Sequence, residues 1–89
     1  MTESPHCSCF SLEYDDVRRA RIVEASVGQE VGEIDDDRSR TRLSRTGRTV
    51  EVEVEAADLV ALRAAGNTWL SLVSVAERTA EAARAAERR

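Results

Sequence analysis

The stretch RSRTRLSRTGRTVEVEVE, Arg38 to Glu55, sets five arginines, Arg38, Arg40, Arg42, Arg45 and Arg48, ahead of a strict alternation of valine and glutamate. An alternation of period two marks a strand with one buried face. Gly47 lies between the two halves, where it can take the positive φ that a tight turn demands. The stretch therefore reads as a hairpin with strands over 38–45 and 48–56 and a turn at Arg45-Thr46-Gly47-Arg48. Setting Arg45 opposite Arg48 fixes a register in which Leu43 meets Val50, Thr41 meets Val52, Arg42 meets Glu51, Arg40 meets Glu53 and Arg38 meets Glu55. Opposed charges of opposite sign stabilise a strand pair by roughly 0.2 to 1 kcal/mol each. Three arginines are then structural, and Leu43, Val50, Val52 and Val54 point inward. Arg45 and Arg48, at the tip with no acid opposite, are the candidate contacts to a nucleic-acid phosphate.

Upstream, His6, Ser8, Phe10, Leu12 and Tyr14 alternate with Cys7, Cys9, Ser11 and Glu13, which predicts a half-buried strand over 6–14. Asp15 and Asp16 are N-cap candidates for a helix over 16–28, whose stripe is Val17, Ala20, Val23 and Val27. The following GQEVGEIDDD, with two glycines and three consecutive aspartates, reads as an exposed acidic loop.

Downstream, Asp58 caps a helix over 58–87 with one stripe of Leu59, Leu62, Gly66, Trp69, Val73 and Ala76. Leu70 and Leu72 sit about 80° to either side of it, and Val60 and Val75 further round. That apolar surface is too wide for one sheet: the first helix can cover one shoulder, and the other is left to a partner or a second copy. Gly66 in mid-helix costs about 1 kcal/mol against Ala, which suggests close approach of another backbone or an accident of packing. Beyond Ala76 the only apolar contacts are alanines, so this end either packs closely on a partner helix or projects as a solvated tail, the tail being the expectation. A helix running from Asp58 to Arg88 would be about 46 Å long, more than such short strands can cover.

The order β-α-β-β-α predicts a single α+β domain over residues 1–89, a three-stranded antiparallel sheet with two helices on one face. VEVEVE suits the centre, since placing it between the other two strands makes every neighbour antiparallel. Two open edges remain, and joining an edge to its symmetry mate would give a dimer with a continuous six-stranded sheet.

Composition narrows function. The chain has one Phe, one Trp and one Tyr and a net charge of -4, with arginine as its only basic side chain besides His6. A core this small is expected to gain support from oligomerisation, and the acidic balance argues against a protein whose main task is coating nucleic acid. The abundance of Ala and acids and the lack of Lys suggest a GC-rich genome or a salt-adapted cytoplasm. The start, MTESPHCSCF, has neither a basic opening nor a long apolar run, so no signal peptide, transmembrane helix or membrane partner is expected, and the chain is expected in the cytoplasm with Cys7 and Cys9 as thiols. His6, Cys7 and Cys9 resemble a fragment of a zinc site but lack a fourth ligand, and on a strand His6 points away from the cysteines. No metal or other cofactor is expected. With one His, no Ser-His-Asp set and no glycine-rich phosphate loop, an enzyme is the least supported class.

Taken together, FSLEYDD, ARIVEASVGQE, the RSR that opens the second strand and above all EAADLVALRAAGNTWLSLVSVAE resemble the Pcc (CTAG-like) small subunits, of archaeal type, of the KEOPS complex, which takes part in threonylcarbamoyladenosine modification of tRNA. The resemblance covers nearly the whole chain. It implies a non-catalytic homodimer whose helices pack against the catalytic transferase subunit and bring two copies of the complex together. It also implies that Asn67, Trp69, Leu70 and Val73 lie on the helix used for packing and partner contact, and that the chain helps hold tRNA, for which Arg45 and Arg48 are the candidate contacts.

Overall fold

A computed structural model describes residues 6–32 and 37–88. Its elements follow the expected order: β1 (His6–Glu13), α1 (Val17–Gly28), β2 (Ser39–Thr46), β3 (Thr49–Ala56) and α2 (Leu59–Glu87). The sheet order is β1-β3-β2 and both pairings are antiparallel. Val50, Val52, Val54 and Ala56 are fully buried, as the inner face of a central strand should be. Both helices lie on that side and meet at Ala20, Val23, Val27, Trp69, Val73 and Ala76.

The hairpin register differs from the sequence expectation by two residues. Leu43 pairs with Val52, Thr41 with Val54, Arg42 with Glu53 and Arg40 with Glu55, and the strands close at Thr46 opposite Thr49. The two-residue loop is therefore Gly47-Arg48, with Gly47 at φ 59° and no positive φ at Arg48. Glycine first is what a type II′ turn requires, and primed turns match the twist of the flanking strands. Because the slip is two and not one, every side chain keeps its face. Arg38 falls outside β2 and pairs instead with Asp58, the N-cap of α2.

In α1, the Asp16 carboxylate accepts from the Arg19 N–H at 2.7 Å. Ala20, Val23 and Val27 are buried as the periodicity indicates, whereas Val17 at the start of the stripe is 39% exposed. The acidic loop falls partly outside the described residues, which resume at Asp37.

The C-terminal half of α2 is not a free tail. Ala76 and Ala80 are buried, and Arg84 donates to Asp16 at 2.7 Å, Arg19 pairs with Glu81 at 3.2 Å and Arg18 pairs with Glu87. The alanines thus let α1 of the same chain approach closely. Tyr14, just past β1, donates to Glu77 at 2.7 Å, and its burial together with that carboxylate acceptor pushes its hydroxyl pKa well above the ordinary tyrosine value. By length and hydropathy α2 could cross a membrane, but its stripe covers the valines of β3, which a spanning helix would leave bare.

Gly66 faces the ring of Phe10, not another backbone: a Cβ built there would meet Phe10 Cζ at 3.5 Å, an ordinary contact. Gly66→Ala should therefore raise stability by up to about 1 kcal/mol in urea denaturation; a loss would show that the ring cannot share the space. Asp16→Asn keeps a capping side chain but weakens the tie to Arg84. Faster hydrogen exchange over residues 81–87, with the sheet unchanged, is the expected result. The Arg19 N–H bond first, and Arg84 next, hold the Asp16 carboxyl below its ordinary value, so this tether is complete above the normal carboxylate range and is lost as pH falls below it.

Candidate interaction surfaces

The tip arginines have acid partners that strand pairing alone does not reveal. Arg45 lies on the helix side of β2, opposite Val50, and its Nε donates to Glu24 of α1 at 2.7 Å, while Nη1 donates to the Gly47 carbonyl at 2.9 Å. Arg48 lies 3.5 Å from Glu13 of β1 and donates to the Asp15 carbonyl at 3.4 Å. The expectation that neither faces an acid is thus corrected, because the acids come from elements remote in sequence. Arg45 is a brace between hairpin and helix, and Arg48 is the looser, more exposed of the two.

The outer face of the sheet carries Cys7, Cys9 and Ser11 on β1, Glu51, Glu53 and Glu55 on β3, and Arg40, Arg42 and Ser44 on β2. Glu53 and Glu55 stand opposite Arg42 and Arg40 as register neighbours. Both cysteines are free and exposed. Cys7 has its thiol pKa raised by desolvation and then by Glu53 and Glu55, which makes it a weaker nucleophile at neutral pH. Among the described residues no three His, Cys, Asp or Glu side chains gather as a metal site would need.

Helix α2 separates the four residues assigned to a partner face. Trp69 is fully buried and Val73 is 5% exposed, so both are core residues, held there because the stripe they share covers the sheet. Asn67 is exposed and Leu70 is 46% exposed, so these two remain available. α1 covers the C-terminal half of α2 and not one shoulder of its whole length, and among the described residues both shoulders of the N-terminal half stay open. On the β1 side a groove runs between Ser8 and Phe10 and the helix residues Leu59, Leu62, Arg63, Asn67 and Leu70. On the β2 side another is lined by Arg38, Ser39, Val60, Ala61, Ala64 and Thr68. Sequence reasoning missed the second groove, although the helical position of Val60, 78% exposed, was its signal.

The fold and these surfaces define a small α+β module in which three of the large exposed apolar side chains, Leu59, Val60 and Leu70, lie on the N-terminal half of one helix. The chain matches the family model described as "Transcription factor Pcc1" over residues 8–81, and it belongs to that family. It is also similar to a chain of the solved structure described as "Crystal structure of binary complex Gon7-Pcc1", at 15% identity and a TM-score of 0.65, with 93% of this chain and 96% of that one covered. That likeness shows a shared fold. No curated protein matches the chain.

Arg45→Ala should cost about 1 kcal/mol, since its side chain is only 22% exposed and braces two elements, whereas Arg48→Ala should stay within about 0.5 kcal/mol. Chemical denaturation of the two variants checks this order; equal effects would show that the brace to Glu24 contributes nothing.

Proposed function

We propose that this chain is a non-catalytic assembly subunit of the KEOPS complex, supporting threonylcarbamoyl transfer to tRNA by bridging catalytic transferase subunits as a homodimer. Family membership supports the assignment. The observation that carries the mechanism is the pair of open shoulders on α2, Leu59 and Leu70 on one side and Val60 on the other. A subunit that joins others must hold two neighbours at once, and two apolar shoulders flanking one rigid helix allow that. The transferase and a second copy of the chain are the occupants this reading assigns to them, in the cytoplasm and with no cofactor.

The alternative, a small module that contacts tRNA directly, draws on the tip arginines. Arg45 is engaged by Glu24, so Arg48 is the candidate left there. The family description as a transcription factor would call for a basic face against DNA. On the outer face of this sheet, arginines and glutamates stand side by side, and the chain is acidic overall.

Leu70→Glu and Val60→Glu test the reading, since both side chains are exposed and the fold should tolerate the change. Co-purification with the KEOPS transferase should fall sharply in at least one variant, and retention in both contradicts assembly through α2. Arg48→Ala should leave tRNA affinity at low salt unchanged; a large loss would favour direct tRNA contact.

A further inference from the structure

Strand β2 borders β3 on one side only, and no other strand among the described residues pairs with it. The direction of its backbone groups follows from one bond. The Ala57 N–H donates to the Arg38 carbonyl at 2.8 Å, one step beyond the pairing of Ser39 with Ala56. Bonded and non-bonded positions alternate along an antiparallel pair. Arg40, Arg42 and Ser44 therefore turn their N–H and C=O groups towards β3, while Thr41 and Leu43 turn theirs to the open edge. Such a row is what a strand from another chain needs in order to add to a sheet.

The side chains along this edge decide what that strand must carry. On the outer face Arg40 and Arg42 are both exposed. Arg18, Arg19, Arg45, Arg48 and Arg84 are each held by a carboxylate, whereas Arg40 and Arg42 form no ion pair among the described residues, although Glu55 and Glu53 are their register neighbours. On the inner face Thr41 is 7% exposed and its Oγ1 has no hydrogen-bond partner, a state that buried hydroxyls seldom keep. Beside it, Ala61, Ala64 and Thr68 of α2 leave a groove along the strand, with room for side chains leaning in from a neighbour.

Charges on an edge strand commonly keep stray strands away. Arg40 and Arg42 do so towards a second copy of this chain, because about a two-fold axis they would meet the same two arginines, like charge against like. Towards a strand with carboxylates at alternate positions the same pair is attractive. β3 shows the fit from the other side, since Glu53 and Glu55 stand beside Arg42 and Arg40 while Val52 and Val54 turn inward.

We propose that β2 is a docking edge for an extended acidic segment of another protein, which adds antiparallel as a fourth strand. Its carboxylates lie beside Arg40 and Arg42 on the outer face, and a Ser or Thr hydroxyl lies beside Thr41 on the inner face. The backbone of Thr41 and Leu43 holds the segment, the arginines select its charge, and the Thr41 hydroxyl sets its register. This partner is a third one, besides the transferase and the second copy of the proposed function, and its binding depends on neither.

Amide hydrogen exchange of the full chain, followed by NMR with the end-blocked peptide SVETEV and its basic counterpart SVKTKV, tests this. In the free chain Arg40 and Arg42 should exchange slowly and Thr41 and Leu43 fast. Saturating SVETEV should slow Thr41 and Leu43 by about tenfold or more, as new ladder bonds would, and SVKTKV should leave them unchanged. Arg40→Ala/Arg42→Ala should weaken SVETEV binding by about tenfold. Thr41→Pro removes an outward N–H at an edge position that tolerates proline, and binding should be lost with circular dichroism unchanged. If either variant does not fold, the exchange pattern of the wild type decides by itself. No protection of Thr41 and Leu43 at millimolar SVETEV overturns the docking edge, and equal protection by both peptides overturns the selection by charge. An RNA oligonucleotide that binds through Arg40 and Arg42 where the peptide does not would assign these arginines to phosphate and overturn the proposal as well.

Discussion

Helix α2 is longer than the sheet it has to cover. Its 29 residues rise about 44 Å, while eight-residue strands extend about 27 Å. The first half of its stripe therefore lies on the sheet, with Trp69 fully buried in the same core as Val50, Val52 and Val54, and the second half runs on past it. α1 takes up the overhang, which is why the stripe changes from Leu and Trp to Ala, and why ion pairs from Asp16, Arg18 and Arg19 gather at the far end. The particle is accordingly elongated, 51 × 20 × 17 Å. Since α1 is spent on the overhang, no element among the described residues covers the shoulders of the first half.

The same economy governs the charges. Arginines near the hairpin tie separate elements together: Arg38 to the cap of α2, Arg45 to α1 and Arg48 to the end of β1. Partly exposed pairs of this kind contribute little each, but they tie the hairpin to β1, α1 and the cap of α2. The polar chemistry is largely turned inward, on the chain itself, and the surface left for others is apolar. That division suits a protein that joins other proteins better than one that reads a nucleic acid.

Element order, strand centrality and the faces of every strand were legible in the sequence, because hydrophobic alternation and the caps Asp16 and Asp58 depend on neighbours along the chain. The hairpin register was not, since either Thr46-Gly47 or Gly47-Arg48 can form a two-residue loop, and what separates them is that primed turns need a positive φ at the first loop residue, which the β-branched Thr46 resists and Gly47 accepts. The partners Glu24 and Glu13 were hidden for a different reason: they belong to elements brought close only by the fold. Likewise the alanines after Ala76 look like the sequence of a solvated helix until α1 is laid beside them. Of the four helix residues assigned to a partner face, Trp69 and Val73 proved to be core, as the centre of an apolar stripe should be, and Asn67 and Leu70 lie on its margin.

The central claim is that the uncovered half of α2 is the surface through which this chain assembles. Hydroxyl-radical footprinting of the chain, free and dilute and then within the reconstituted complex, reads that surface side chain by side chain. Leu59, Val60 and Leu70 should lose reactivity on assembly, while Val75 and the outer face of the sheet near Arg40 and Arg42 keep theirs. Unchanged reactivity at those three residues, with protection appearing instead on the outer face of the sheet, would contradict the account.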